Sequence, residues 1–271
     1  MKNIGLVTYV YEDYQDFIPL FVYSTLKNNP DIGIKIFLKE ELTDYNRTTL
    51  EAVDTNNVQV IENYAIPCPI APLHGIRYLI PEKDLSEFDY VYLSDVDLVN
   101  IEDMTKRCAQ DIEASKKSLL PFNGSCYNGH FGGINDQLPR FQLGSVFIEV
   151  KPYYKEMSKT IEEVHSGIHK DYISTISHLP TVELLFYYML DKTFQFDFEL
   201  FNQNDDILRV QQLHGLNLRW LDITKGCWWK PDAAERLLLE NIYEKGTEQS
   251  KQILRKTALP NWRIVKALSK A

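Results

Sequence analysis

Within its first 61 residues the chain alternates between compact apolar runs and amphipathic stretches, and this alternation limits the possible folds more than any other feature. Ile4–Val10 is apolar and rich in β-branched and aromatic side chains, the pattern of a strand buried on both faces. Asp16–Asn28 follows, with Phe17, Leu20, Phe21, Ser24 and Leu26 spaced as one helix face. Pro19 falls in the first turn, where a missing N–H does no harm. Asn29-Pro30-Asp31 and Gly33 break that helix, and Ile34–Leu38 reads as the next strand. Tyr45–Asp54 reads as a second helix and Val58–Ile61 as a third strand. Three strands joined by two helices imply a parallel sheet with right-handed crossovers, the architecture of a nucleotide-binding half-fold. No GxGxxG follows the first strand and no GxxxxGK[ST] occurs anywhere, so the dinucleotide and P-loop versions of that fold lose their main support.

Beyond the third strand lies an irregular stretch, Pro67-Cys68-Pro69-Ile70-Ala71-Pro72, then a helical segment at Leu73–Ile80. Phe88–Leu93 forms another buried strand and ends in Ser94-Asp95-Val96-Asp97. Gly124–Arg140 reads as a long Gly- and Asn-rich loop, a lid or acceptor platform, because ordered loops of this length are often functional. Ser145–Val150 reads as a strand, and Tyr153–His165 and Thr181–Leu190 as helices.

At 271 residues the chain is long enough for one large domain with a substantial core. A net charge of -9 and a pI near 5.2 argue against a nucleic-acid partner, whose phosphates call for clustered Lys and Arg. No stretch approaches the run of about 18 apolar residues needed to span a bilayer. The opening MKNIGLVTYV reads as a buried strand and not as a signal peptide. Cys68, Cys108, Cys126 and Cys227 show no CxxC or CxH spacing, so neither a disulfide framework nor a structural zinc site is expected. These features point to a soluble, cytoplasmic protein. Residues 1–246 read as one domain and 247–271 as a basic, helical C-terminal tail, where Lys251, Arg255, Lys256, Arg263, Lys266 and Lys270 stand against Glu248. The tail's interleaved apolar residues suit two placements: a peripheral contact with anionic lipid at the inner membrane surface, or packing against the domain.

Asp95 and Asp97 are two apart at the carboxyl end of an apolar strand, the edge where open α/β sheets place their ligands. Two carboxylates converging there make a hard oxygen site for Mg²⁺ or Mn²⁺, which would in turn carry a diphosphate.

Several elements now fall into a familiar order: GLVTYV with its following helix, Arg77-Tyr78-Leu79-Ile80-Pro81, FDYVYLSDVDL, Phe141-Gln142-Leu143-Gly144-Ser145-Val146-Phe147-Ile148, and His214-Gly215. In this order they resemble nucleotide-sugar-dependent glycosyltransferases of the GT-A fold, most closely the retaining family 8 enzymes, which include glycogenin and lipopolysaccharide galactosyltransferases. The DVD spelling and His130-Phe131-Gly132-Gly133 are also similar to family 6 glycosyltransferases, which share fold and stereochemistry. The resemblance covers roughly residues 4–220. It implies an α/β GT-A fold, with a Rossmann-like nucleotide-binding half and a mixed central sheet, to which the helical tail is appended. It further implies Asp95, Asp97 and His214 as metal ligands, Thr8 and Tyr9 against the nucleotide base, and Arg77 on the diphosphate or sugar. Asp95 is also placed on the nucleotide-sugar. Gln142 stands where the family has Asn, and Arg219 stands near the place of a family lysine. Glu183 is the nearest carboxylate to the family's sugar-side pair, so Glu183 and Gln142 are the catalytic candidates that the resemblance supplies. The implied activity is hexose transfer from a UDP-sugar to a glycan or glycolipid acceptor, as in cell-envelope glycan synthesis, with Mn²⁺ or Mg²⁺. The alternative is a non-catalytic sugar- or metal-binding scaffold with a transferase-like fold.

Overall fold

The computed structural model describes residues 3–53, 56–66, 73–100, 103–124, 126–131, 134–141, 145–168, 170–171, 182–196, 216–217, 232–248 and 250–251. In chain order the strands are β1 (Ile4–Val10), β2 (Gly33–Leu38), β3 (Val58–Ile61), β4 (Tyr90–Ser94), β5 (Leu98–Val99), β6 (Phe122–Asn123), β7 (Cys126–Phe131), β8 (Ile134–Phe141), β9 (Ser145–Glu149) and β10 (Leu216–Asn217). The α-helices are α1 (Ile18–Asn28), α2 (Asp44–Glu51), α3 (Met104–Ser118), α4 (Val150–His165), α5 (Val182–Phe194) and α6 (Ala233–Lys245). Short 3-10 turns run over Glu12–Phe17, Leu73–Leu79 and Glu82–Asp84. The six-stranded central sheet has the order β3-β2-β1-β4-β9-β6 and is mixed, as the GT-A resemblance implies. Two-stranded sheets pair β5 with β10 and β7 with β8.

The chain divides into two compact units built from interleaved segments. One comprises residues 1–9, 65–94 and 104–213; the other comprises 10–64, 95–103 and 214–271. In the first, β1 and β4 run parallel from Ile4↔Tyr90 to Val7↔Leu93, and β9 returns antiparallel to β4 from Tyr90↔Glu149 to Ser94↔Ser145. All seven residues of β1 are buried, which explains why its sequence shows no alternation. Gly5 is required here: a Cβ at that position would lie 2.7 Å from the Phe88 ring. Helix α4 buries Tyr153, Tyr154, Met157, Thr160, Ile161 and Val164, the three- and four-residue spacing of a single helix face. Tyr154 Oη donates to the Ile80 carbonyl at 2.7 Å, and Tyr78 stacks on Phe186 of α5 with ring centroids 3.9 Å apart. Burying a side chain of that size is worth roughly 1.5–3 kcal/mol.

In the second unit β2 and β3 pair in parallel from Ile34↔Val58 to Phe37↔Ile61. Thr43 caps α2 by accepting from the Asn46 N–H, and Asp232 with Glu235 forms a reciprocal capping box on α6. The buried Asp16 carboxylate accepts from Asn46 Nδ2 at 2.8 Å and from the Thr247 N–H at 2.9 Å.

The expected strands and helices of the first 61 residues are present, with α1 starting at Ile18 rather than Asp16, after the 3-10 turn Glu12–Phe17, and α2 ending at Glu51 rather than Asp54. The Gly124–Arg140 stretch departs from expectation: most of it is not a loop but the β7–β8 hairpin, paired from Cys126↔Phe141 to Phe131↔Ile134 with an irregularity between Gly129 and Phe131. Cross-strand hydrogen bonding accounts for the difference, since it orders a segment whose Gly and Asn content disfavours any local structure. No helix among the described residues is long and apolar enough to cross a membrane.

Candidate functional site

The parallel pairing of β1 with β4 ends at Val7 and Leu93, so the two strands finish at the same edge. Thr8 and Tyr9 follow on β1 and Ser94 on β4, all three buried. Thr8 is 0% exposed, and its Oγ1 has no hydrogen-bond partner among the described residues. A buried hydroxyl in that state costs about 1–3 kcal/mol unless a ligand supplies the missing bond.

The chain leaves β4 at Ser94 and turns through Asp95, Val96 and Asp97 into β5. Asp97 is 3% exposed, whereas Asp95 is half-buried. β5 pairs antiparallel with β10, Val99 opposite Leu216 and Leu98 opposite Asn217, so the strand that follows the aspartates meets the strand that follows His214-Gly215. His214 itself lies outside the described residues. Two carboxylates on a tight turn are hard oxygen donors and fit Mg²⁺ or Mn²⁺ by type. Among the described residues no three His, Cys, Asp or Glu side chains gather as a metal site.

Arg77 sits in the 3-10 turn Leu73–Leu79 and is 4% exposed, with its guanidinium 4.9 Å from the centroid of the Tyr78 ring. The Tyr78 ring rests in turn on Phe186, which ties Arg77 to the helix that carries Glu183. Glu183 occupies the first turn of α5. Gln142 and Arg219 lie outside the described residues. Of the residues singled out from sequence, Thr8 and Tyr9 therefore share one sheet edge, Asp95 and Asp97 share one turn, and Arg77 is packed against the helix bearing Glu183.

A polar cluster behind β4 was not singled out. Asp111 on α3, 0% exposed, accepts from Tyr92 Oη of β4 at 2.6 Å, from Arg107 Nε at 3.1 Å and from Asn123 Nδ2 of β6 at 2.6 Å. Burial raises the Asp111 pKa from its ordinary value even though the Arg107 charge and the three donated hydrogen bonds oppose it. Burial and the neighbouring carboxylate push the Tyr92 phenol well up. The sequence signal for this cluster is the Arg107/Asp111 pair at four-residue spacing.

No protein-family model matches the chain, and no curated protein matches it either. Solved structures do. The chain is similar to the galactosyltransferase LgtC, solved with donor and acceptor sugar analogues, at 16% identity and a TM-score of 0.39, over 60% of this chain and 65% of that one. It is similar to the bifunctional glycosyltransferase WbbM in its apo form, at 10% identity and a TM-score of 0.47, over 94% of this chain and 52% of that one. It is similar also to the glycosyltransferase GlyE of Streptococcus pneumoniae TIGR4, at 16% identity and a TM-score of 0.37, over 61% of this chain and 40% of that one. In each case the chain spans less than two thirds of the length of the protein that it matches.

Proposed function

We propose that the chain is a metal-dependent hexosyltransferase that moves a hexose from a UDP-sugar to a hydroxyl of a glycan or glycolipid acceptor, with retention at the anomeric carbon. The observation that carries this reading is the Asp95-Val96-Asp97 turn, which leaves the carboxyl end of a buried parallel strand with Asp97 only 3% exposed. Ligands of open α/β sheets collect at that edge.

In this reading Asp95, Asp97 and His214 hold Mn²⁺ or Mg²⁺. The bound ion supplies Lewis-acid stabilisation of the charge that develops on the departing diphosphate. Arg77 and Arg219 add fixed positive charge to the same diphosphate, for which a planar guanidinium fork suits better than an ammonium. Thr8 and Tyr9 lie against the base, and the partnerless Thr8 hydroxyl is the group there with a hydrogen bond to give. Retention follows from attack of the acceptor hydroxyl on the face that the diphosphate leaves, with the hydroxyl proton passing to the departing phosphate oxygen. That route needs no protein nucleophile. A double displacement would need one, and Glu183, assisted by Gln142, is then the residue for it.

Residues 1–246 form the transferase domain in this proposal, at work in the cytoplasm on envelope glycans. The tail begins anchored to its own unit, through the Thr247 N–H on Asp16 and Ser250 Oγ on the Asp13 carbonyl at 2.7 Å. The basic remainder of the tail is the part we assign to the anionic membrane surface.

A thermal-shift and hydrolysis panel of UDP-, GDP-, CMP- and TDP-sugars, with and without Mn²⁺, tests the proposal on the wild type and on Asp97→Ala. Mn²⁺-dependent stabilisation by a UDP-sugar, lost in Asp97→Ala, is the expected result. No response to any nucleotide with any metal overturns it and leaves the sugar- or metal-binding scaffold.

A further inference from the structure

Asn100 follows β5 directly, three positions after Asp97, and one face of α1 takes hold of it at three points. Its N–H donates to Ser24 Oγ at 3.2 Å, its Nδ2 donates to Thr25 Oγ1 at 2.8 Å, and its carbonyl accepts from Asn28 Nδ2 at 2.8 Å. All four residues belong to the compact unit that also holds the aspartate turn and β10.

The helix side fixes the direction of these bonds. Ser24 Oγ and Thr25 Oγ1 each give their proton to the Phe21 carbonyl one turn back, at 3.2 and 2.7 Å, and so face Asn100 as acceptors. Both residues are fully buried, where an acceptor left without a donor is costly. An asparagine amide supplies that donor. An aspartate of the same shape does not.

What the three bonds hold is short. β5 consists of Leu98 and Val99 and pairs, among the described residues, with β10 alone. A ladder of that length is marginal by itself. Burial of Leu98 and Val99 keeps the strand inside, yet apolar packing is non-directional, whereas hydrogen bonds set a direction. Asp97 immediately precedes this strand, and Leu216, opposite Val99, stands two residues after His214. The seating of β5 therefore governs how the aspartate turn meets the strand that follows His214.

We infer that Asn100, seated on Ser24 and Thr25 of α1, is a positioning residue that holds Asp95 and Asp97 in the direction a divalent cation requires. The inference rests on the reading of their turn as a metal site. Groups that orient metal ligands in this way typically carry a factor of about 10–100 in metal affinity.

Titration of the full chain with Mn²⁺, followed by the electron paramagnetic resonance of the free ion with and without UDP, tests it. Asn100→Asp keeps the shape and sets an acceptor against two acceptors. Its added negative charge would by itself tighten cation binding, so a weakening has the opposite sign to the Coulomb effect. Thr25→Val removes one acceptor without any change of charge and carries the test where Asn100→Asp does not fold. Asn46→Ala is the control, because it breaks a buried hydrogen bond to Asp16 in the same unit but away from the turn. The expected result is Mn²⁺ affinity about tenfold or more weaker in Asn100→Asp, measurably weaker in Thr25→Val and at the wild-type level in Asn46→Ala. Affinity at or above the wild-type level in either of the first two variants overturns the inference, as does an equal weakening in Asn46→Ala. Wild-type binding that Asp97→Ala abolishes and Asn100→Asp leaves intact sinks this inference alone. No Mn²⁺ binding by the wild type, with or without UDP, sinks the metal reading of the turn and this inference with it.

Discussion

The phenol of Tyr92 donates a 2.6 Å hydrogen bond to the fully buried carboxylate of Asp111, joining the strand that leads into the aspartate turn to helix α3. Arg107 and Asn123 complete the cluster. Tyr92→Phe deletes one donor and leaves the acceptor short, so urea unfolding should show a loss of about 1–3 kcal/mol. Asp111→Leu strands the Arg107 guanidinium in the interior and should cost roughly 3–5 kcal/mol. Adding Arg107→Leu to Asp111→Leu should restore part of that loss, because the uncompensated charge is then gone.

Gly5→Ala would set a methyl group 2.7 Å from the Phe88 ring, in a strand buried along its whole length. A destabilisation of about 1–3 kcal/mol is expected in thermal or urea unfolding. Phe88→Leu in the same background should recover a measurable part of it. Equal losses in the single and double variants would refute the steric account.

Acid stability carries a sign that the two compact units set differently. Glu62 is held below its usual pKa by the hydrogen bond from Arg47 and by the Leu42 N–H. Burial tends to raise Asp232, but the Glu235 N–H, Lys27 and Tyr23 prevail and lower it. A carboxyl lowered in the folded state contributes stability above its unfolded pKa and loses it as pH falls through the folded one. Asp111, raised by burial, works the other way and favours the fold as it takes up its proton. Glu62→Gln should therefore flatten the loss of stability between about pH 4 and pH 2 relative to wild type, whereas Asp111→Asn should remove a gain that the wild type shows above about pH 4, as pH falls from the raised folded pKa of Asp111 toward its unfolded one. Urea midpoints measured across both windows check the pair.

Glu183→Gln separates the two routes to retention. Front-face attack predicts that the variant keeps most of its transfer rate. Removal of a covalent nucleophile would instead lower the rate by roughly four orders of magnitude. Single-turnover transfer assays distinguish these outcomes directly.

Two of the parallel strands could be read from sequence through their apolar, β-branched runs: Ile4–Val10, buried throughout, and Val58–Ile61, half-exposed at the edge of the sheet, stand in the structure with the bounds expected of them. Helix α3 escaped notice for a physical reason. Its buried residues are Met104, Arg107, Cys108, Asp111, Ile112, Ala114 and Ser115, and three of these seven are polar or charged, so a search for apolar periodicity passes over it. The β7–β8 hairpin escaped for another. Pairs such as Asn128↔Pro139 owe their geometry to the partner strand and not to their own preferences. At the candidate site, the position of Asp95 and Asp97 after a buried strand was visible in sequence, whereas the burial of Thr8 without a partner was not, since that depends on what the fold packs around it.

The hydrogen bond from Thr247 to Asp16 spans 231 residues of chain. On a ribosome this separation becomes a delay. At roughly 5–20 residues per second, Asp16 waits ten seconds or more for the amide that it will accept, and α1 waits as long for α6, which carries the partners of Lys27 and Tyr23. During that interval the face of α1 that those groups cover stands open to other chains. The unit is thus a late-closing one, and nascent copies need protection on that face until residues 232–250 emerge.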